Sequence, residues 1–194
     1  MKKHLFLSGP IGCGKTTMIN NALGEKLKLA GGFVTVRIRE DDGSLIGYDM
    51  LPAAAVGGVE GFVGERFLDY SVKPPIHDNE VFRVTGVRLL REAEYYPFAL
   101  LDEFGGFEIV IPEFREALLD FLSSDVPCIG VLKCFDNAQM LKKRMSLGDK
   151  YVDTLTALTN ALRADPDTLV LDTTGRYDAE AQRIVAQWAA EYTP

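Results

Sequence analysis

Histidine, cysteine, positive charge and long apolar runs are all scarce in this chain of 194 residues. The two histidines, His4 and His77, lack metal-type spacing, and neither is read as a catalytic group. The three cysteines, Cys13, Cys128 and Cys134, are odd in number and show no C-x-x-C spacing, which argues against a disulfide framework and against a zinc site. Cys128 and Cys134 flank an apolar run and read as core, and Cys13 as a small space-filler in a turn. No apolar run reaches the length of a membrane span, and no signal peptide is read at the N-terminus. The expectation is a soluble, cytoplasmic protein without a membrane partner. Lys and Arg total 21 against 28 Asp and Glu, a net charge of −7 that argues against a nucleic-acid-binding face. Basic residues cluster in only two places, Arg37 with Arg39, and Lys142, Lys143 and Arg144.

What the chain does have is glycine in one telling arrangement. Residues 9–17 read Gly9-Pro10-Ile11-Gly12-Cys13-Gly14-Lys15-Thr16-Thr17, the pattern G-x-x-x-x-G-K-[ST] of a phosphate-binding loop. Its glycines let the backbone turn tightly and approach a ligand, so that successive N–H groups form an anion nest. Lys15 is placed to reach the β- and γ-phosphates, and the Thr16 hydroxyl to join the shell of a bound Mg²⁺. The context fits. His4-Leu5-Phe6-Leu7-Ser8 reads as a short buried strand before the loop. Met18, Ile19, Ala22, Leu23 and Leu27 come after it at helical spacing over 15–29. A helix starting here aims its N-terminal dipole at the same anions.

Further along, Ala30-Gly31-Gly32 reads as a turn, and 33–39 alternates, with Phe33, Thr35, Arg37 and Arg39 on one face and Val34, Val36 and Ile38 on the other. With Asp42-Gly43 as a turn signal and a second strand over 45–51, this predicts an antiparallel β-hairpin near 33–51. Residues 52–79 are irregular, with short strands expected around 62–70 and 80–84, and are long enough to cover a ligand. A helix over 86–96, a buried strand over 98–103, a helix over 114–122 and a strand over 128–132 come next. Helices over 136–145 and 150–163, a strand over 168–172 and a helix over 177–192 complete the chain. Strands and helices alternate from 98 onward without a linker. The reading is a single α/β domain over 1–194, a three-layer P-loop NTPase fold with a mainly parallel sheet flanked by helices.

The strand over 98–103 ends in two acids. Asp102 closes an apolar run, as a carboxylate beside Mg²⁺ and across from Thr16 must. Glu103 is next in the chain and, where the strand ends, can turn towards the γ-phosphate to orient or deprotonate a water. The metal set is therefore Thr16 and Asp102, and the catalytic set Glu103 and Lys15.

Three blocks, most of residues 4–135, carry a family resemblance. They are Gly9–Thr17, the Gly-Gly-Phe-Val-Thr-Val-Arg-Ile-Arg-Glu hairpin with Ile46-Gly47-Tyr48, and Leu100-Leu101-Asp102-Glu103-Phe104-Gly105-Gly106-Phe107-Glu108. Together they resemble the nucleoside-triphosphatase family known from thermophilic prokaryotes and from a human cancer-related member. The resemblance implies a RecA-like core of the additional-strand, catalytic-glutamate type, and Mg²⁺-dependent hydrolysis of nucleoside triphosphates with loose base preference. It also implies Glu103 as the water-activating residue, with Asp102 and Thr16 serving the metal. The chain departs from the family at Gly106, where such proteins carry lysine, and from about 136 onward it matches weakly.

No motif assigns an arginine finger; Arg144 is the first candidate, then Arg37 and Arg39. No guanine-reading motif is present, and Asp172-Thr173-Thr174-Gly175, at the last strand's end, is a candidate wall of the base pocket. A small-molecule or nucleotide kinase, and a nucleotide-dependent switch or assembly factor with slow turnover and a protein partner, are the competing readings.

Overall fold

The apolar segments that sequence marks as buried strands lie side by side at the centre of one sheet. The computed structural model describes residues 1–194. Its strands are β1 (His4–Ser8), β2 (Ala30–Arg39), β3 (Leu45–Pro52), β4 (Glu65–Asp69), β5 (Ile76–His77), β6 (Phe98–Phe104), β7 (Cys128–Leu132) and β8 (Thr168–Asp172). They form one eight-stranded sheet in the order β5-β4-β3-β2-β6-β7-β1-β8. β2, β6, β7, β1 and β8 run parallel. The hairpin β2–β3 continues antiparallel into β4 and β5, which form one edge. β7 therefore separates the strand that enters the phosphate loop from the strand that ends in Asp102 and Glu103.

Alternation along the strands sorts side chains into two cores, because successive residues point to opposite faces. Leu5 and Leu7 of β1, Phe98 and Leu100 of β6 and Val34 of β2 pack against α1 (Lys15–Leu23) and α6 (Ala179–Tyr192). Phe6, Ala99, Leu101 and Phe33 pack on the other face with α2 (Val87–Ala93), α3 (Pro112–Leu122) and α5 (Asp149–Ala164). The result is helix, sheet, helix, with α4 (Phe135–Met145) coming after β7. The fold is α/β, as the alternation of elements predicts.

Three local expectations are corrected. The α-helix expected over 15–29 stops at Leu23, where Gly24 turns at φ 50°, and 3₁₀ turns carry the chain to Leu29. Ala30-Gly31-Gly32, read as a turn, begin β2 instead, because their backbone pairs with Phe98, Ala99 and Leu100 of β6. The strand expected at 80–84 is a π-helical turn, Val81–Gly86, that runs into α2. It inserts Phe82 edge-on among Phe67, Phe107 and Phe114, with ring centroids 4.9, 5.3 and 5.4 Å away. Aromatic packing there outweighs β-propensity.

His4 opens β1 and is fully buried. Its Nε2 faces the Leu122 carbonyl oxygen at 3.1 Å, and its Nδ1 has no partner. Burial, with Lys3 nearby, pushes the imidazole pKa down to about 4. A native pKa below the unfolded value means that the unfolded chain binds the proton first as pH falls. Stability should therefore be intact above pH ~6.5 and fall between there and pH ~4, by about 3 kcal/mol from this residue. Urea denaturation across that range measures it. His4→Gln, which keeps a donor for Leu122 but cannot titrate, should flatten the fall; an unchanged slope would rule out His4 as its source.

Candidate active site

The phosphate loop leaves β1 at the C-terminal end of the parallel strands, where strand ends line the ligand crevice of such sheets. Gly9 adopts φ 155°, and a Cβ there would collide with the Thr173 carbonyl oxygen, so the loop can lie this close to the end of β8 only as glycine. Lys15 is buried, and its Nζ donates to the carbonyls of Gly9 (2.9 Å) and Pro10 (2.7 Å), with the Cys13 Sγ at 3.6 Å. Asn137 of α4 donates to the same Gly9 oxygen at 3.1 Å, which ties the loop to the helix after β7. Ile11, Gly12, Gly14, Lys15, Thr16 and Thr17 line a cavity of about 390 Å³ whose far wall holds Asp102 and Glu103. Gly9, Pro10 and Cys13 lie outside it and act through the loop backbone: the Cys13 carbonyl accepts from the Arg176 N–H at 2.7 Å.

Asp102 shares the face of Leu100 and so points towards α1. Its Oδ1 accepts the Thr16 hydroxyl at 2.8 Å. Burial pushes the Asp102 pKa up to about 6, opposed by the Thr16 hydrogen bond, raised further by Glu103 and lowered by Lys15 and Arg37. A carboxylate so strained by desolvation, with a hydroxyl oxygen beside it, fits a hard divalent cation: both donors are oxygen, and a cation would favour the charged carboxylate. The residues present thus suit Mg²⁺, with Thr16 and Asp102 as the protein oxygens.

Glu103 breaks the alternation. It sits at φ 66°, the left-handed region, and the β6–β7 register shifts between Leu101 and Phe104. Phe104 consequently returns to the face of Leu101, and the Glu103 side chain is freed at the strand end, where it lines the loop cavity. Positive φ is unfavourable for a glutamate, and the turn over Gly105–Glu108 holds it in place. Glu108 is fully buried, and its Oε1 accepts the N–H groups of Gly105 and Gly106, both at 2.7 Å. Burial raises the Glu108 pKa, with the hydrogen bonds and Lys133 opposing. Tyr151 of α5 donates its hydroxyl to the Gly105 carbonyl at 3.0 Å. At Gly106 a Cβ would stand 2.5 Å from Glu108 Oε2, so a lysine at this position would require the carboxylate to move.

Lys133 passes beside Gly106, its Cε 3.6 Å from where a Cβ would stand. It stands just past β7, its N–H donates to the Phe104 carbonyl, and its largely buried Nζ lies 3.2 Å from Glu103 Oε1. Sequence reasoning missed it; the available signal was a lysine closing the apolar run Cys128–Leu132. Asn137 was missed too, having no motif. Of the arginine candidates, Arg37 lines the loop cavity, whereas Arg39 and Arg144 line a second cavity beside it. The guanidinium of Arg144, the first candidate, stacks 4.4 Å over Tyr70. Residues 172–175 line neither cavity: Asp172 binds Arg163 at 2.8 Å, and Thr173 N–H donates to Ser8, so this stretch buttresses the loop from outside. Within 52–79, only Val56 reaches the loop cavity.

These features define a P-loop protein with paired acids lining the cavity under the loop. The NTPase family matches residues 4–160, and the chain belongs to it. It is 30% identical over 137 residues to the mouse cancer-related nucleoside-triphosphatase homolog, covering 64% of this chain and 71% of that protein. It is 30% identical over 144 residues to the human cancer-related nucleoside-triphosphatase (64% and 71% covered). It is 27% identical over 143 residues to the nucleoside-triphosphatase THEP1 of Thermococcus kodakarensis (68% and 77%). In fold it is similar to the crystal structure of THEP1 from the hyperthermophile Aquifex aeolicus, with a TM-score of 0.57, 17% identity and 95% of each chain covered.

Removing the Glu108 carboxylate would strand two buried N–H groups. Glu108→Ala should therefore lower stability by about 2–4 kcal/mol in urea denaturation. A loss under about 0.5 kcal/mol would show that the turn after Glu103 is held by something else.

Proposed function

We propose that this chain hydrolyses nucleoside triphosphates to diphosphate and phosphate with Mg²⁺, accepting several bases. One observation carries the reading: Glu103, turned out of its strand, faces the same cavity as Lys15, Thr16 and Asp102. The loop N–H groups hold the phosphates, and Lys15 exchanges the Gly9 and Pro10 carbonyls for β- and γ-phosphate oxygens. Thr16 and Asp102 would hold Mg²⁺, which would neutralise charge on the phosphate oxygens. Glu103 orients a water and takes its proton as the water oxygen attacks the γ-phosphorus. Lys133, paired with Glu103, keeps that carboxylate aimed and is the cation that stands in for the absent lysine at Gly106. Arg37, from β2, is the best-placed arginine for the transition-state charge.

Loose base preference is supported by an apolar stretch of wall, Val34, Val36 and Val56, which offers packing rather than an edge-reading carboxylate. The strand β7 between β1 and β6 is consistent with the additional-strand class. We read 1–194 as one catalytic domain. No helix is long and apolar enough to cross a membrane.

Phosphate release from ATP, GTP, CTP and UTP in the presence and absence of Mg²⁺ tests the reading. Glu103→Gln should lower kcat about 10²–10⁴-fold with nucleotide affinity unchanged. Lys133→Met should lower kcat about tenfold and Lys15→Ala should abolish tight triphosphate binding. Full activity in Glu103→Gln would end the proposed role of Glu103.

A further inference from the structure

The cavity under the phosphate loop has a larger neighbour. A space of about 580 Å³ lies beside it, of a size that encloses a small organic molecule. The two cavities share Ile11, Thr35, Arg37 and Glu103, so they meet at the end where the γ-phosphate would stand. One wall of the second cavity is aromatic, built from Tyr48, Phe67, Tyr70, Phe82 and Phe107. Leu45, Met140 and Leu141 extend this apolar surface, and Met140 is 63% exposed.

The charges around it are unbalanced in the opposite sense to the chain. The whole protein carries −7, yet five cations, Arg37, Arg39, Lys133, Lys143 and Arg144, line this cavity against two carboxylates, Glu103 and Glu108. Both carboxylates are engaged: Glu103 pairs with Lys133, and Glu108 accepts the Gly105 and Gly106 N–H groups. Arg37, Arg39, Lys143 and Arg144 form no ion pair; Arg39 donates to the Gly43 carbonyl, and Arg144 stacks on Tyr70. In an acidic protein, four cations without carboxylates around an aromatic wall match a ligand with a flat apolar body and an anionic group.

We propose that this second cavity binds a small organic anion with a flat, apolar body, and that its occupant controls water access to Glu103. The occupant packs its body on Tyr70 and Phe107 and places its acid group among Arg144, Lys143 and Arg39. Because Glu103 walls both cavities, an occupant excludes water from the outer side of that carboxylate, and phosphate release falls. This second clause rests on the hydrolase reading; the binding clause does not.

The test uses 8-anilinonaphthalene-1-sulfonate, an aromatic sulfonate, as probe and its uncharged relative N-phenyl-1-naphthylamine as control. With the full chain saturated with a non-hydrolysable ATP analogue and Mg²⁺, fluorescence titration should show one-to-one binding of the sulfonate. The neutral compound should bind about tenfold more weakly, and higher salt should weaken only the sulfonate. Lys143→Glu, a surface change, should weaken the sulfonate about tenfold, and Met140→Glu should weaken both compounds, each variant keeping the wild-type melting temperature and phosphate release. Saturating sulfonate should slow phosphate release severalfold. Displacement of the probe by the ATP analogue, equal affinity for the neutral compound, or unchanged binding in both variants would overturn the binding site. Tight, Lys143-dependent binding with undiminished phosphate release would overturn the control of water while leaving the site. A protein with no phosphate release at all would defeat the hydrolase reading, and the binding arms would still decide the site.

Discussion

The structure turns on a single hydrogen bond between distant parts of the chain, from the Thr16 hydroxyl to the Asp102 carboxylate at 2.8 Å. It spans the width of β7 and joins the first turn of α1 to the end of β6. Everything that gives the site its shape serves to bring these two oxygens together. Parallel pairing of β6, β7 and β1 aligns their C-terminal ends, and apolar alternation aims Asp102 at α1. The Asp102 carboxyl is buried and its pKa raised, a cost that an arriving cation would offset.

One residue later the chain needs the opposite outcome. Glu103 leaves the strand and lines the loop cavity, whereas a regular strand would have turned it into the core that Leu101 occupies. The left-handed backbone at Glu103 solves this, and a rigid turn keeps it there. Gly105, Gly106, Glu108 and the Tyr151 hydroxyl fix that turn from below, while Lys133 holds the carboxylate from the side. The position of the Glu103 carboxylate is thus set by hydrogen bonds and an ion pair made by the residues around it.

Much of the site is legible in sequence, for physical reasons that differ by element. The phosphate loop, its flanking strand and helix, and the acids at the end of β6 all obey local patterns of spacing and periodicity, and they stand where those patterns place them. The hairpin is equally legible because alternation and Asp42-Gly43 are local. Non-local pairings are not. Ala30-Gly31-Gly32 look like a turn until β6 supplies partners for their backbone. Val81–Gly86 look extended until three phenylalanine rings supply a niche for Phe82. Lys133 and Asn137 carry no motif, and their value depends on which strand ends become neighbours. The same holds for Arg37, which alone of the three arginines lines the loop cavity, and for the segment 172–175, which lies behind the loop and lines neither of the two cavities.

On the proposed mechanism, Thr16 and Asp102 would trade their mutual hydrogen bond for a shared cation when a triphosphate binds. A crystal structure with Mg²⁺ and a non-hydrolysable triphosphate measures that directly. Both oxygens should turn to the metal's shell, Lys15 should leave the Gly9 and Pro10 carbonyls for phosphate oxygens, and Glu103 should hold a water in line with the γ-phosphorus. A bound triphosphate with the Thr16–Asp102 bond intact, the metal held elsewhere and Glu103 turned away would contradict this exchange.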